Sequence, residues 1–232
     1  MRKLQGLREG RRDPSLTRAW LPSSTVPSPN PMLELLREVR SSEPLVSAMA
    51  IKRLIYYPQD EALLRQKSQP VSNLKNKRLK RLIQDLKDTL ESQRGAAIAA
   101  PQIGVYKRVA VAKFGQNDDA EEEPMLTLIN PEIIEAGELE TGFDGCLSIP
   151  DIYTWDTSRP SWIRFRARGE DGGEIIRRLE GLDARVLHHE IDHLDGILFL
   201  DRLRDPNELY TPVEGADGKT KMVRLVDLRK MS

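Results

Sequence analysis

One cysteine and three histidines are all that this 232-residue chain offers to a borderline metal ion, and aromatic residues make up only 5% of it. A single thiol excludes an intrachain disulfide framework and fits a reducing compartment. It also argues against a closed structural zinc cage, which takes four protein ligands, several of them often cysteine. An excess of charge is missing too: 36 Lys and Arg stand against 36 Asp and Glu. No global basic field therefore favours DNA or RNA, and only local Lys/Arg stretches are left to attract such a partner. No run approaches the ~20 apolar residues that cross a bilayer, so a soluble protein with no membrane partner is expected. The basic opening (Arg2, Lys3, Arg8, Arg11, Arg12, Arg18) lacks the apolar stretch of a secretory signal, and Glu9 and Asp13 fit a transit peptide poorly. A cytoplasmic location follows as the expectation. With 39% hydrophobic residues, the chain is long enough for one substantial core and an appended segment.

The scarce ligands are concentrated. All three histidines fall in His188-His189-Glu190-Ile191-Asp192-His193, and Cys146 lies upstream in Asp144-Gly145-Cys146-Leu147-Ser148. His189, Glu190 and His193 spell HExxH, and residues four apart on a helix differ by only ~40° of rotation, so both imidazoles reach one ion. Cys146 is the obvious third ligand, although a lone cysteine is more often a small buried hydrophobe. His188 is rotated ~100° from His189 and does not join the pair easily. For His188 and Asp192 a supporting or surface role is the better reading. With three ligands, one coordination position stays open for a water whose pKa a metal lowers from about 15.7 to roughly 7. Glu190 is displaced from the ligand face but close enough to take a proton from that water and return it to a leaving amine. This chemistry is hydrolysis of an amide or ester.

HHEIDH, the upstream GCLS and the still earlier GAAIAAPQIG resemble the three motifs of the peptide deformylases, in their order and at similar separations. The resemblance implies Cys146, His189 and His193 as metal ligands and Glu190 as the catalytic acid/base. It also implies that the Gln102 amide and the Leu147 backbone N–H bind the developing oxyanion of a formyl group. Removing one such donor typically costs ~2.7–4 kcal/mol of transition-state stabilisation. Gly95, Ala96, Ala97 and Ile98, with Gly145, are the expected substrate-binding positions. An extended peptide could add like a strand here, and backbones approach closely only where side chains are tiny. The same small residues would equally serve a packing contact with the HExxH helix. Three positions depart from the family. Ala97 replaces the second Gly of GxGxAAxQ, which would cost roughly 1–2 kcal/mol if the backbone were left-handed there. Asp144 replaces the usual Glu, whose partner in the family is an Arg shortly downstream, here Arg159. His188 replaces a frequent Gln.

Along the chain, residues 1–48 read as a flexible or partly helical extension: a basic opening, then Pro22, Ser23, Ser24, Pro27, Ser28, Pro29 and Pro31, then Leu33, Leu36 and Val39 near helical spacing. Met49 resembles the start of many deformylases, which makes it a second or the true start. Residues 49–204 form the expected deformylase domain and 205–232 a charged C-terminal tail. From Asn73 to Ser92, Leu79, Leu82, Ile83, Leu86 and Leu90 share one helical face. Strands are predicted over Arg108–Phe114, Leu126–Ile129, around Ile133, over Trp162–Arg168 and over Ile175–Leu179, with an acidic loop from Gln116 to Pro124. The row Arg164, Arg166 and Arg168 is the best local candidate for an acidic partner, with a solvated sheet face as the plainer alternative. Gly181 precedes the HExxH helix and Gly196 ends it.

Strands followed by a ligand-bearing helix predict an α+β fold. The resemblance implies the peptide-deformylase-like version, antiparallel or mixed sheets packed around a central HExxH helix. It also implies removal of the formyl group from N-formylmethionyl nascent polypeptides, by attack of a metal-bound hydroxide. One divalent ion per chain is implied, Fe(II) as the working metal, with Zn(II), Ni(II) or Co(II) suiting the same ligands. Transient ribosome contact belongs to this expectation. The rivals are a zinc endopeptidase, since HExxH is shared with those enzymes, and a deformylase-like binder of formylated termini or ribosomes that has lost activity.

Overall fold

A computed structural model describes residues 51–115, 124–215 and 218–231. The expected extension, the amphipathic stretch near Leu33 and most of the acidic loop lie outside these residues. Among those described, two antiparallel sheets and one long helix surround a central helix, as an α+β fold requires.

The first long helix, α2 (Lys77–Gln93), follows a short turn of helix, α1 (Glu61–Leu64). Asn76 caps α2 by accepting the Arg78 N–H at 2.9 Å, which satisfies one of the helix's free donors. Leu79, Leu82, Ile83, Leu86 and Leu90 are buried along one face, while Lys75, Lys77 and Lys80 are exposed. The 3.6-residue period thus accounts for both faces.

The five-stranded sheet runs β1 (Ala97–Ala99), β2 (Val109–Ala112), β3 (Leu126–Ala136), β6 (Trp162–Arg168) and β7 (Glu174–Glu180). Successive strand residues face opposite sides, and the residue sizes exploit this. Ile98, Val109 and Val111 pack against α2. Ala97 and Ala112 face the HExxH helix α3 (Gly181–Asp195) at Ala184, Leu187 and Ile191, and Ala99 and Ala110 meet its Leu194. Branched residues fill the α2 side; alanines let α3 lie close on the other. On β6, Ile163, Phe165 and Ala167 point inward. Outside, Arg164 pairs with Glu135 and Arg166 with Glu132, at 2.7 and 2.8 Å. Those two arginines have intrachain acidic partners, and Arg168 donates to the Gly172 carbonyl. The separate strand signals near Leu126 and Ile133 are one strand, β3, with register shifts at Ile129/Glu132 and Ile133/Glu135.

The second sheet runs β4 (Leu139–Cys146), β5 (Ile149–Pro160), β8 (Tyr210–Glu214) and β9 (Thr220–Arg224). Here the structure corrects the reading of a charged tail. β8 and β9 form a hairpin that joins β5 through Tyr153 and Tyr210, followed by helix α4 (Leu225–Met231). Charged residues obscured the pattern because no position of β8 or β9 is fully buried. No described helix is long and apolar enough to cross a membrane.

Candidate active site

Two elements deliver the three candidate ligand atoms. His189 and His193 stand one helical turn apart on α3, and Cys146 ends β4 at the tight turn into β5, where it pairs with Ile149. The register slips between Gly142 and Asp144 and again between Gly145 and Cys146. Such bulges re-aim side chains, and here both Asp144 and Cys146 reach the helix. The Cys146 Sγ lies 3.1 Å from His193 Nε2, which is 3.1 Å from His189 Nε2. All three ligand atoms lie within 4.8 Å of one another. Tetrahedral donors at 2.0–2.3 Å from a zinc-like ion stand roughly 3.3–3.6 Å apart, so this cluster is a metal-binding group in both chemistry and spacing.

The ligands are held from behind. His189 Nδ1 meets Asp144 Oδ1 at 2.8 Å, which leaves Nε2 for the cluster, and its ring stacks on buried Phe199. Asp144 is in turn fixed by the Arg159 Nε at 2.7 Å. The shorter Asp therefore still reaches its histidine and its arginine. Arg159 is wholly buried and also donates to Asp192 at 2.7 Å, while its Nη1 lies 2.6 Å from His188 Nδ1. Asp192 takes a second, two-pronged contact from Arg202 at 2.7 and 3.1 Å. His188 and Asp192 therefore face Arg159 and take no place among the ligand atoms.

Charge follows geometry. Burial opposes the Cys146 thiolate, but His193 and His189 outweigh it and bring the thiol down to about 5. Burial also opposes a charged His189, yet Asp144 and Cys146 raise it well above the usual imidazole value. Glu190 goes the other way. Burial dominates and pushes its carboxyl up to about 7, against the pull of both histidines. Its Oε2 is buried without a partner.

The early segment approaches from the other side. Gln102 sits in a buried 3-10 turn (Ala100–Ile103) after β1, and its Oε1 accepts the Ala99 N–H at 2.8 Å. That contact fixes the amide orientation, because only the oxygen can accept. The NH2 is thereby turned toward Cys146 Sγ at 3.6 Å and Ser148 Oγ at 3.3 Å. The segment 51–57 ties both partners together: Ile55 N–H donates to the Gln102 carbonyl and Tyr57 N–H to that of Ser148, each at 2.9 Å. A Cβ on Gly95 would stand 3.0 Å from Leu147 and 3.1 Å from Leu90, so glycine there permits the close approach. Ala97 has no left-handed backbone; it lies in β1 opposite Ala112. The strain that a left-handed alanine would carry does not arise.

A cavity of about 590 Å³ opens onto this cluster, lined by Gly95, Ala96, Ala97, Gly145, Cys146, Leu147, His189 and Glu190 among others. Ile98 is the exception among the predicted substrate positions: strand alternation sends its side chain into the α2 core, fully buried. Leu182, Val186 and Arg185 of α3, Phe143 and Tyr153 also line the cavity, and motif reading assigned them no role. Leu182 and Val186 carried a signal, since they precede His189 and His193 at helical spacing on the same face. Phe143 and Tyr153 carried none.

A family model described as "Polypeptide deformylase" matches residues 51–208. The chain belongs to the polypeptide deformylase family. It is 37% identical over 169 residues to peptide deformylase 1 of Bacillus subtilis (strain 168), covering 73% of this chain and 98% of that one. Its fold matches a peptide deformylase from Synechococcus elongatus in complex with actinonin, with a TM-score of 0.61, 36% identity, and 69% and 83% of the two chains covered. It also matches a Met-Ala-Ser-bound class I type b peptide deformylase from Acinetobacter baumannii, with a TM-score of 0.61, 31% identity, and 67% and 99% covered. As a peptide deformylase, this chain is a metal-dependent amide hydrolase that removes the N-terminal formyl group of new polypeptides. The endopeptidase and inactive-binder readings give way to this one.

Proposed function

We propose that Cys146, His189 and His193 hold the metal, that Glu190 moves the proton, and that Gln102 and the Leu147 N–H bind the oxyanion of the formyl group. The observation that carries this reading is the Glu190 carboxyl, raised to about 7 by burial, with one oxygen unpartnered beside the Cys-His-His cluster. A general acid/base works best with a pKa near the working pH. A bound divalent ion supplies Lewis acidity, lowering the pKa of a coordinated water to roughly 7. The donor set suits iron, zinc, nickel or cobalt, and the family likeness favours Fe(II).

Each residue then has one task. Glu190 accepts the proton of the attacking water and returns it to the leaving amine. Gln102 keeps its NH2 aimed at the cluster through the Ala99 contact, ready to donate to the oxyanion without reorganising. Gly95, Ala96, Ala97 and Gly145 leave room for the peptide backbone along the cavity wall. The thiolate ligand favours a reducing, cytoplasmic setting. The exposed Lys75, just before α2, and Lys77, Arg78 and Lys80 in its first turn offer a basic surface for a transient ribosome contact.

The test is formate release from a formyl-Met peptide by anaerobically prepared, iron-loaded protein, with an unformylated peptide as control. Glu190→Gln should keep one metal per chain and lose nearly all turnover. Wild-type turnover in that variant would remove Glu190 from the mechanism.

A further inference from the structure

The chain holds three Trp, five Tyr and four Phe, and four of these form one continuous strip across the second sheet. Phe143 of β4 and Tyr153 of β5 stack 6.0 Å apart at the cavity rim. Phe143 then meets Trp155 at 5.4 Å, and Trp155 meets Tyr210 of β8 edge-on at 5.4 Å. Cross-strand aromatic pairs stabilise sheets, yet that role does not require exposure. Phe143 is 43% and Trp155 49% exposed, and contiguous apolar surface of this kind marks an interaction site more often than scattered single residues do. The Tyr210 hydroxyl donates to Glu208 at 2.6 Å, which holds that ring at the end of the strip.

Position identifies the occupant. The strip is continuous with the cavity, because Phe143 and Tyr153 belong to both. Phe143 stands three residues before Cys146 on β4, at most about 10 Å at strand rise, since the strand is bulged there. A substrate extended from the metal cluster therefore reaches the strip at about its fourth residue. The two ring-to-ring steps from Phe143 to Tyr210 match the length of about three more extended residues. Aromatic faces give contact area with little demand on the sequence they meet, which suits polypeptides that share only their first residue.

We propose that Phe143, Tyr153, Trp155 and Tyr210 form a track for the substrate polypeptide beyond its third residue, so that the protein favours longer chains over short peptides. This rests on the deformylase reading above. Trp155 lies outside the cavity lining, with its ring against Phe143 and Tyr210, so it is the place to test the track.

The experiment compares formyl-Met-Ala-Ser with the same tripeptide extended by six neutral residues, on metal-loaded wild type, Trp155→Ala and Trp155→Phe. Wild type should show the higher kcat/KM on the nonapeptide. Trp155→Ala should lower that value about fivefold, mainly through KM, and leave the tripeptide within about twofold. Trp155→Phe should recover most of the loss. An equal loss on both peptides, or no loss on either, would overturn the track and leave the deformylase reading intact. Failure of wild type to release formate from either peptide would overturn both. Thermal melting separates the purely structural role, which lowers the melting temperature without changing the ratio between the two peptides.

Discussion

Arg159→Leu tests whether one buried guanidinium holds the ligand helix to the ligand hairpin. The Arg159 side chain is fully buried and donates at 2.7 Å to both Asp144 and Asp192. Replacing it leaves two buried carboxylates with one cation fewer. Breaking a buried pair usually costs 3–5 kcal/mol. Asp144 keeps His189 and Asp192 keeps Arg202, so the low end, about 3 kcal/mol, is expected. For a domain of this size that lowers Tm by roughly 6–12 °C. Burial opposes ionisation of Asp144 and Asp192, but His189 and Arg159 for the first, and His188, Arg202 and Arg159 for the second, hold both below the usual carboxylate range. Groups depressed in the folded state stabilise it above their unfolded pKa of about 3.9 and lose that contribution as pH falls. The gap between wild type and variant should therefore be full at pH 7 and shrink below about pH 4. Urea unfolding of metal-free protein across this range measures it, and metal titration should show about 10–100-fold weaker binding because Asp144 no longer orients His189 firmly. A variant that melts with wild type and binds metal equally would refute the network.

Gln102→Ala should lower kcat by about 10²–10³ with metal content unchanged, as expected for loss of one oxyanion donor; an effect confined to KM would assign Gln102 to ground-state binding. With its thiol near 5, metal-free Cys146 should react with iodoacetamide at a rate that stays flat from pH 8 down to about 6 and falls below that, while metal should protect it. Equal alkylation with and without metal would remove Cys146 from the ligand set. Gly196→Ala puts a Cβ 2.2 Å from the Arg65 carbonyl at a φ of +76°, and should cost more than the ~1–2 kcal/mol of left-handed strain alone. A melting temperature equal to wild type would show that the α3 terminus yields.

The Cys-His-His cluster was legible because two histidines four apart on a helix share one face, and because the only other histidine, His188, is rotated off that face and Cys146 is the only cysteine. β6 was equally legible: Trp162–Arg168 alternates without interruption, and one face is buried. β4 and β5 were not. Their bulges break the period-two pattern, and their partly buried faces mix Thr, Asp and Arg with aromatics. The burial of Thr157, Arg159 and Asp144 goes with contacts to Arg185, Asp192 and His189 of α3, which no local window contains. The GAAIAAPQ run divides in the same way. Its small residues implied a close approach, but the split between Ile98 toward α2 and Ala97 and Ala99 toward α3 required strand alternation and both helices together.

The histidine run owes its compactness to two faces of one helix that serve different ends. His189 and His193 form one i, i+4 pair; His188 and Asp192 form another, rotated ~100° away. The first pair converges with Cys146, and the second grips Arg159. Arg159 reaches on to Asp144, which meets His189, so the chain of contacts closes on the ligand pair. Motion of β4 relative to α3 would have to break two buried ion pairs before the cluster could open. In that arrangement Asp192, next to His193 in sequence, is linked to His189 in space through Arg159 and Asp144.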